Sequence, residues 1–178
     1  MSDYGIVTAP DTVRIERLMP GPIERLWSYL TESEKRRTWM AAGEIELRPG
    51  GRVEHLFRNS ELTKDEPTPA KYAPYEDHLS VGRVIDCDPP HRLSYTWDET
   101  SEVVFELTPQ QDRVLLVVTH RRLPNRGEMV SVAGGWHTHL DLLLDLLEGR
   151  TPSHFWSKHS AIEAEYERRI PADPSPRA

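Results

Sequence analysis

Histidine and aromatic side chains carry most of the chemistry that this sequence offers. Alternation over residues 52–58 puts Val53, His55 and Phe57 on one strand face, and alternation over 113–123 puts Leu116, Val118 and His120 on another. If both faces are concave, two imidazoles point into one interior. An imidazole titrates near neutrality, so such a pair could anchor a polar group or act as a general acid or base. The alternative is that each is a satisfied, half-buried histidine, and both readings stand at this point. His137, His139 and Asp141 invite a metal reading. On a helix, however, residues i and i+2 lie about 200° apart, so the two imidazoles diverge. His137 and Asp141 do share a face, but two ligands make no site, and no cysteine pair or HExxH accompanies them. They read as a solvated His–Asp pair. We expect no metal, no cofactor and no assigned catalytic residue.

The aromatic set is Trp39, Tyr95, Trp97, Phe105 and Trp136. Leu93, Tyr95 and Trp97 share one strand face; Val103, Phe105 and Leu107 share the next. Taken singly, each aromatic is what a core contains. Taken together, they fit a pocket wall, with Leu140 on the facing helix. Gly134 and Gly135 precede Trp136 and fit a close approach of that helix to its neighbours. Cys87 is a lone thiol with nothing beside it to activate it, and reads as structural.

Positioning these residues takes a sheet and a covering helix. A strand is expected over 12–18, then Pro20 and Pro22, then a short helix over 23–30 with Ile23, Leu26, Trp27 and Leu30 at i, i+3, i+4, i+7. Thr31 looks like the N-cap of a second short helix ending near Trp39 and Met40, with Glu34 as capping-box partner. Period-two patterning then predicts strands at 44–48, 52–58, 79–86, 92–97, 102–108 and 113–123, joined by short turns that favour antiparallel hairpins. The stretch 59–78, with Pro67, Pro69 and Pro74 among charges, predicts a long mobile loop gating the pocket. Beyond it, Trp136, Leu140, Leu143, Leu144 and Leu147 form one apolar stripe opposite Asp141, Asp145 and Glu148, with Gly149 as a stop. Leu142 and Leu146 fall off the stripe and need cover, from a last helix at about 153–170 or from a second subunit in a homodimer. A curved sheet with an amphipathic helix across its concave face is an α+β arrangement that leaves a cavity where the two part.

Size and composition narrow the classes. The 178 residues suit one domain, 37% are hydrophobic and 29% charged, and the mean hydropathy is −0.61. No apolar run is long enough to span a membrane and no secretory leader pattern opens the chain. One cysteine excludes an internal disulfide and fits a reducing, cytoplasmic compartment. A net charge of −7 argues against sequence-independent nucleic-acid binding; Lys35-Arg36-Arg37 is the one tight basic run.

The chain resembles the START-like (SRPBCC, helix-grip) superfamily, and within it the family named for the activator of the heat-shock protein 90 ATPase. The resemblance rests on Pro22 to Trp27 with Leu30-Thr31, on Trp39, and on Arg48-Pro49-Gly50-Gly51. It continues in Gly82-Arg83-Val84 with Asp88-Pro89-Pro90, in Arg92 to Trp97 and in Val104 to Leu107. His120, Gly135-Trp136, Leu140 and Leu147 to Gly149 complete it, over roughly 12–149. Two features depart from the family pattern: the insertion at 59–78 is longer, and a helix and tail over 150–178 follow Gly149. The resemblance implies a helix-grip fold around an apolar pocket. It does not imply chaperone binding. The expected function is binding of a small apolar or amphipathic ligand by Trp39, His55, Phe57, Tyr95, Trp97, Phe105, His120, Trp136 and Leu140. The alternatives are a polyketide cyclase or hydrolase-type enzyme using His55, His120, Tyr95 or Glu106, and a chaperone-interaction module.

Overall fold

A computed structural model describes residues 3–172. Seven antiparallel strands, β1 (Ile6–Ala9), β2 (Thr12–Pro20), β3 (Arg52–Phe57), β4 (His78–Asp88), β5 (Arg92–Thr96), β6 (Glu102–Gln110) and β7 (Arg113–Arg121), form one sheet in the order β1-β2-β7-β6-β5-β4-β3. Two short helices, α1 (Ile23–Thr31) and α2 (Ser33–Arg36), bridge β2 to β3. The long helix α3 (Arg126–Leu147) lies on the sheet, and α4 (Phe155–Arg169) packs on α3. This is the α+β helix-grip architecture.

Sheet curvature has a local cause. The β4–β5 register shifts between Val84 and Asp86, an irregularity that increases twist. Two residues before Val84, Gly82 runs so close to β5 that a Cβ would collide with the Thr96 carbonyl oxygen. On the concave face, Trp39, Leu93, Tyr95, Phe105, Leu116, Leu140 and Leu143 are all essentially solvent-free. At one end of α3 the Asn125 side chain accepts a hydrogen bond from the Glu128 N–H at 2.9 Å, an N-cap; at the other, Gly149 takes a left-handed φ of 76°. Leu142 is buried and Leu146 packs against the core, so one chain covers both.

Several expectations need correction. β1 was not foreseen because Ile6, Val7 and Thr8 are all exposed on an edge, which leaves no alternation to detect. The expected strand at 44–48 is only an irregular arm with bridges from Ala42 to Leu56 and Ile45 to Val53; Ile45 is its one buried side chain. Thr31 does not cap a second helix. Its hydroxyl donates to the Trp27 carbonyl at 2.9 Å and closes α1, and Glu32 enters α2 without a side-chain cap. Nor is Lys35-Arg36-Arg37 a basic patch. Arg36 is buried, and its guanidinium donates to the carbonyls of Leu30, Thr31 and Gly43, clamping the turn between α1 and the sheet.

The 59–78 segment also departs from expectation. It forms two single 3-10 turns (Asn59–Glu61 and Ala73–Tyr75) and attaches to α4. That helix has no acidic residue in its own first turn, and the loop supplies what is missing. Asp65 accepts from the His154 N–H at 3.0 Å, Thr63 from Phe155 N–H at 3.1 Å, and Glu66 from Ser157 N–H at 3.0 Å. Tyr72 stacks on Trp156 with ring centroids 4.9 Å apart, and Lys71 pairs with Glu163 at 3.1 Å. Asp65, Glu66 and His154 could together face a cation, but their carboxylates are already engaged as these helix caps. Because buried Thr63 leaves the Phe155 N–H without an acceptor when replaced, Thr63→Val should destabilise the protein by about 1–3 kcal/mol in chemical denaturation. Limited proteolysis should then cut first within 59–78. An unchanged midpoint and an unchanged cleavage map would show that the cap does not hold the loop.

Candidate functional site

The centre of the grip is filled. Trp39, Tyr95, Phe105 and Leu140 are core, with the Trp39 indole N–H donating to the Tyr29 carbonyl at 2.8 Å. His55 is buried against Phe57, Tyr95 and Trp97, with its Nε2 3.4 Å from the Tyr95 hydroxyl. Burial, and secondly the nearby Arg36 cation, push its pKa down to about 3. Glu106 points away from the interior and pairs with Arg92 on the outer face.

His120 is fixed from both sides. The Trp136 indole N–H donates to its Nδ1 at 3.1 Å, and its Nε2 lies 3.0 Å from the Ser101 hydroxyl. An indole nitrogen can only donate, so Nδ1 holds the lone pair and Nε2 carries the proton. The imidazole therefore donates to Ser101 and cannot serve as its base. Burial lowers the pKa of His120 to about 4, against the opposing charge of Asp98. The contact is a structural tie that runs from α3 through β7 to the β5–β6 turn.

Space opens along the outer half of α3. Gly127, Ser131, Gly135 and His139 recur at i, i+4, i+8 and i+12, one row along the helix. On one side of that row lies a recess of about 200 Å³ walled by Phe57, Trp97 and Trp136, with Met40. The two indoles are in contact, centroids 5.3 Å apart, so they form one wall and do not face each other across a gap. On the other side lies a larger recess of about 410 Å³ between α3, α4 and the 59–78 segment, lined by Tyr72, Phe155, Trp156 and His159. Ser131, Gly135 and His139 border both, which makes the two recesses one groove. The adjacent glycines differ. A Cβ on Gly134 would sit 3.5 Å from the α4 backbone at Glu163, so that position sets helix–helix packing; a Cβ on Gly135 would meet nothing within 4 Å. Phe57, Trp97 and Trp136 are thus the sequence-derived site residues that the structure brings to the groove. Trp39, His55, Tyr95, Phe105, His120 and Leu140 sit beneath it.

His139 and the α4 side of the groove escaped the sequence reading. The 400°-per-four-residue helical row was the available signal: Gly, Ser, Gly, His at spacing four is a stripe of small residues ending on a titratable one. His137, by contrast, is not a solvated partner of Asp141. It is buried, its Nδ1 is 2.9 Å from the Tyr166 hydroxyl, and Asp141 on its other side pairs with the buried Arg17 at 3.2 Å. His137 and His139 do diverge, the first toward Tyr166 on α4 and the Tyr4 ring, the second onto the Trp39 carbonyl. Cys87 is half-buried, and burial with the flanking Asp86 and Asp88 carboxylates raises its thiol pKa.

The geometry defines a helix-grip protein with an aromatic-walled groove along the outer row of its long helix. The family model described as Activator of Hsp90 ATPase homolog 1-like protein matches residues 20–148, and the chain belongs to that family. Among solved structures, a Bordetella parapertussis protein encoded by gene BPP1335 is 38% identical, with a TM-score of 0.81 over 99% of this chain and 95% of that one. That match takes in both the 59–78 segment and α4. CalU16 from Micromonospora echinospora is 23% identical (TM-score 0.67, 89% of this chain and 85% of that one). The conserved protein EF2215 from Enterococcus faecalis is 22% identical (TM-score 0.67, 89% and 84%). These two share the fold. Comparison with curated proteins returned no match. Among the described residues, no helix is long and apolar enough to cross a membrane.

Four buried imidazoles link stability to pH. Burial holds His120, His137 and His139 down to about 4 and His55 to about 3, whereas in the unfolded chain each protonates near 6.5. Between those values the unfolded state binds more protons. Stability is therefore fully present above about pH 6.5 and falls with acidification, each group contributing up to about 1.4 kcal/mol per pH unit. The urea midpoint should drop steeply from pH 7 to pH 5. A midpoint that stays level over that interval would mean these imidazoles are not held neutral.

Proposed function

We propose that the protein binds a small, largely apolar molecule in the groove along Gly127, Ser131, Gly135 and His139. The observation that carries this reading is the open Cβ position of Gly135. A glycine in the middle of a helix costs about 1 kcal/mol relative to alanine, and here no neighbour requires it. What it leaves free is space between two aromatic walls, Phe57, Trp97 and Trp136 on one side and Tyr72, Phe155 and Trp156 on the other. Apolar clefts with a few convergent polar groups are the usual form of a small-molecule site. The family's helix-grip fold is compatible with such a role, and a cytoplasmic setting fits the single thiol.

An enzymatic reading finds less support. A general base works best with a pKa near the operating pH, and the interior imidazoles lie well below it. His120 already spends its lone pair on Trp136.

Nile red, a neutral fluorescent probe, tests the groove. It should bind the parent protein. Gly135→Leu, which fills the open position with a better helix former, should keep or raise the thermal midpoint and weaken probe binding about tenfold or more. Trp97→Ala, at a half-buried wall, should also weaken binding and leave a cooperative transition. Trp136→Ala removes packing and the His120 tie together, and should cost about 3–5 kcal/mol. Undiminished Nile red binding in both Gly135→Leu and Trp97→Ala would remove the groove from consideration.

A further inference from the structure

Among the described residues, three polar atoms of the groove lining are not used by a neighbour: the Trp156 indole N–H and the Asn59 side-chain oxygen, both sealed from the opening, and one nitrogen of His139. His139 Nδ1 lies 2.7 Å from the Trp39 carbonyl oxygen. A carbonyl can only accept, so Nδ1 carries the hydrogen, and the neutral ring presents a bare lone pair at Nε2. The imidazole is 9% exposed, and its Nε2 has no hydrogen-bond partner among the described residues and is not one of the sealed, unsatisfied buried atoms. His139 borders both recesses, so this lone pair opens onto the place where they join. The second imidazole of the groove is fully used. Thr138 gives its hydroxyl hydrogen to the Gly134 carbonyl and so accepts from His159 Nδ1, while His159 Nε2 faces Glu163 at 3.3 Å.

The charges around the opening point the same way. Glu76, Glu128, Glu163 and Glu167 line it against a single lysine, Lys71, which is itself bonded to Glu163. An anionic ligand would meet this acidic rim with no free cation among the described residues that line it. A cationic amine would find the rim carboxylates partly engaged already, Glu163 by Lys71, Glu167 by Arg126 and Glu76 by Ser60. Apart from the Glu128 carboxylate at the rim, what remains open between the aromatic walls is a neutral acceptor.

We infer that the ligand of this groove is a neutral hydrogen-bond donor of aromatic character, a phenol in its simplest form, whose hydroxyl is received by His139 Nε2. The inference rests on the groove reading above and adds the ligand's chemical class. His139 then acts as a specificity residue. It accepts a hydrogen bond from a hydroxyl, gives no attraction to an ether and opposes a carboxylate.

Four probes of similar shape separate these classes: naphthol, methoxynaphthalene, naphthylmethylamine and naphthoate, each titrated into the parent protein and followed by amide chemical shifts. Naphthol should bind about 5–10-fold more tightly than methoxynaphthalene, the range of one net hydrogen bond. His139→Asn retains a side-chain N–H for the Trp39 carbonyl and lacks the second nitrogen. It should bring naphthol down to the level of methoxynaphthalene and leave the ether unchanged. Should that variant not fold, the nitrogen spectrum of the parent's imidazoles decides: naphthol should move the His139 Nε2 resonance and methoxynaphthalene should not. Equal binding of naphthol and its ether, tightest binding of the amine or the carboxylate, or a His139→Asn variant that still prefers naphthol would each overturn the donor inference while leaving the groove intact. Failure of all four probes to bind, together with failure of Nile red, would remove the groove and the inference together.

Discussion

A long helix seated across a bent sheet must fit two surfaces at once, and in this protein the fit is made at one end of the helix and relaxed at the other. Leu140, Leu142, Leu143 and Leu147 occupy the inner half of α3 and are buried with Tyr95, Phe105 and Leu116 in one apolar cluster. Burying side chains of this size contributes about 1.5–3 kcal/mol each, which fixes the position of the helix. Along the outer half the row of Gly127, Ser131 and Gly135 offers nothing of comparable bulk. That row leaves the groove open while the other side of the same half packs Met129, Val130 and Ala133 against α4. The cavity the fold leads one to expect at the centre of the grip is therefore displaced toward the rim, where α3 leaves its tightly packed half.

The second requirement is that the polar groups brought in by this packing be satisfied without charge. Four of the five buried imidazoles are answered by a neutral neighbour: an indole donor for His120, a backbone acceptor for His139, and phenols for His137 and His55. Neutral hydrogen-bonded groups avoid the large desolvation penalty of buried ions. The two buried arginines follow different rules. Arg17 has a carboxylate in Asp141, whereas Arg36 is received by three backbone carbonyls, and burial lowers its pKa despite them. These ties connect elements distant in sequence: α3 to β7 through Trp136 and His120, α3 to the α2 end through His139 and Trp39, α3 to α4 through His137 and Tyr166.

Much of the sheet was legible because its strands alternate cleanly. Val103, Phe105 and Leu107, or Leu116, Val118 and His120, announce both strand and inward face. The edges were not, because β1 and the 44–48 arm are held by partners and not by a pattern of their own. Aromatic residues marked the interior without separating wall from core. Trp39 and Trp97 look alike in sequence, but one is wholly enclosed and the other borders the groove. The segment 59–78 misled for a related reason. Prolines and charges predict weak attachment when charges face water, but Asp65 and Glu66 face the free N–H groups of α4, a partner that local sequence does not reveal.

Gly135 joins these threads. A helix that had only to close the sheet would be better served by alanine or leucine there, since the backbone is helical and the space is empty. Gly134, one residue earlier, has a packing reason in the approach of α4 at Glu163; Gly135 has none within the chain. Stability and an open groove are thus in direct opposition at one Cα. The same opposition recurs one helical turn on, at His139, where a leucine would bury more apolar area but would leave the Trp39 carbonyl without its donor and the groove without an acceptor. Both positions border the same space, the glycine without packing and the histidine packed against Phe155. The Trp39 carbonyl accounts for the histidine, whereas no neighbour accounts for the glycine, and it is that open position on which the ligand-binding proposal stands.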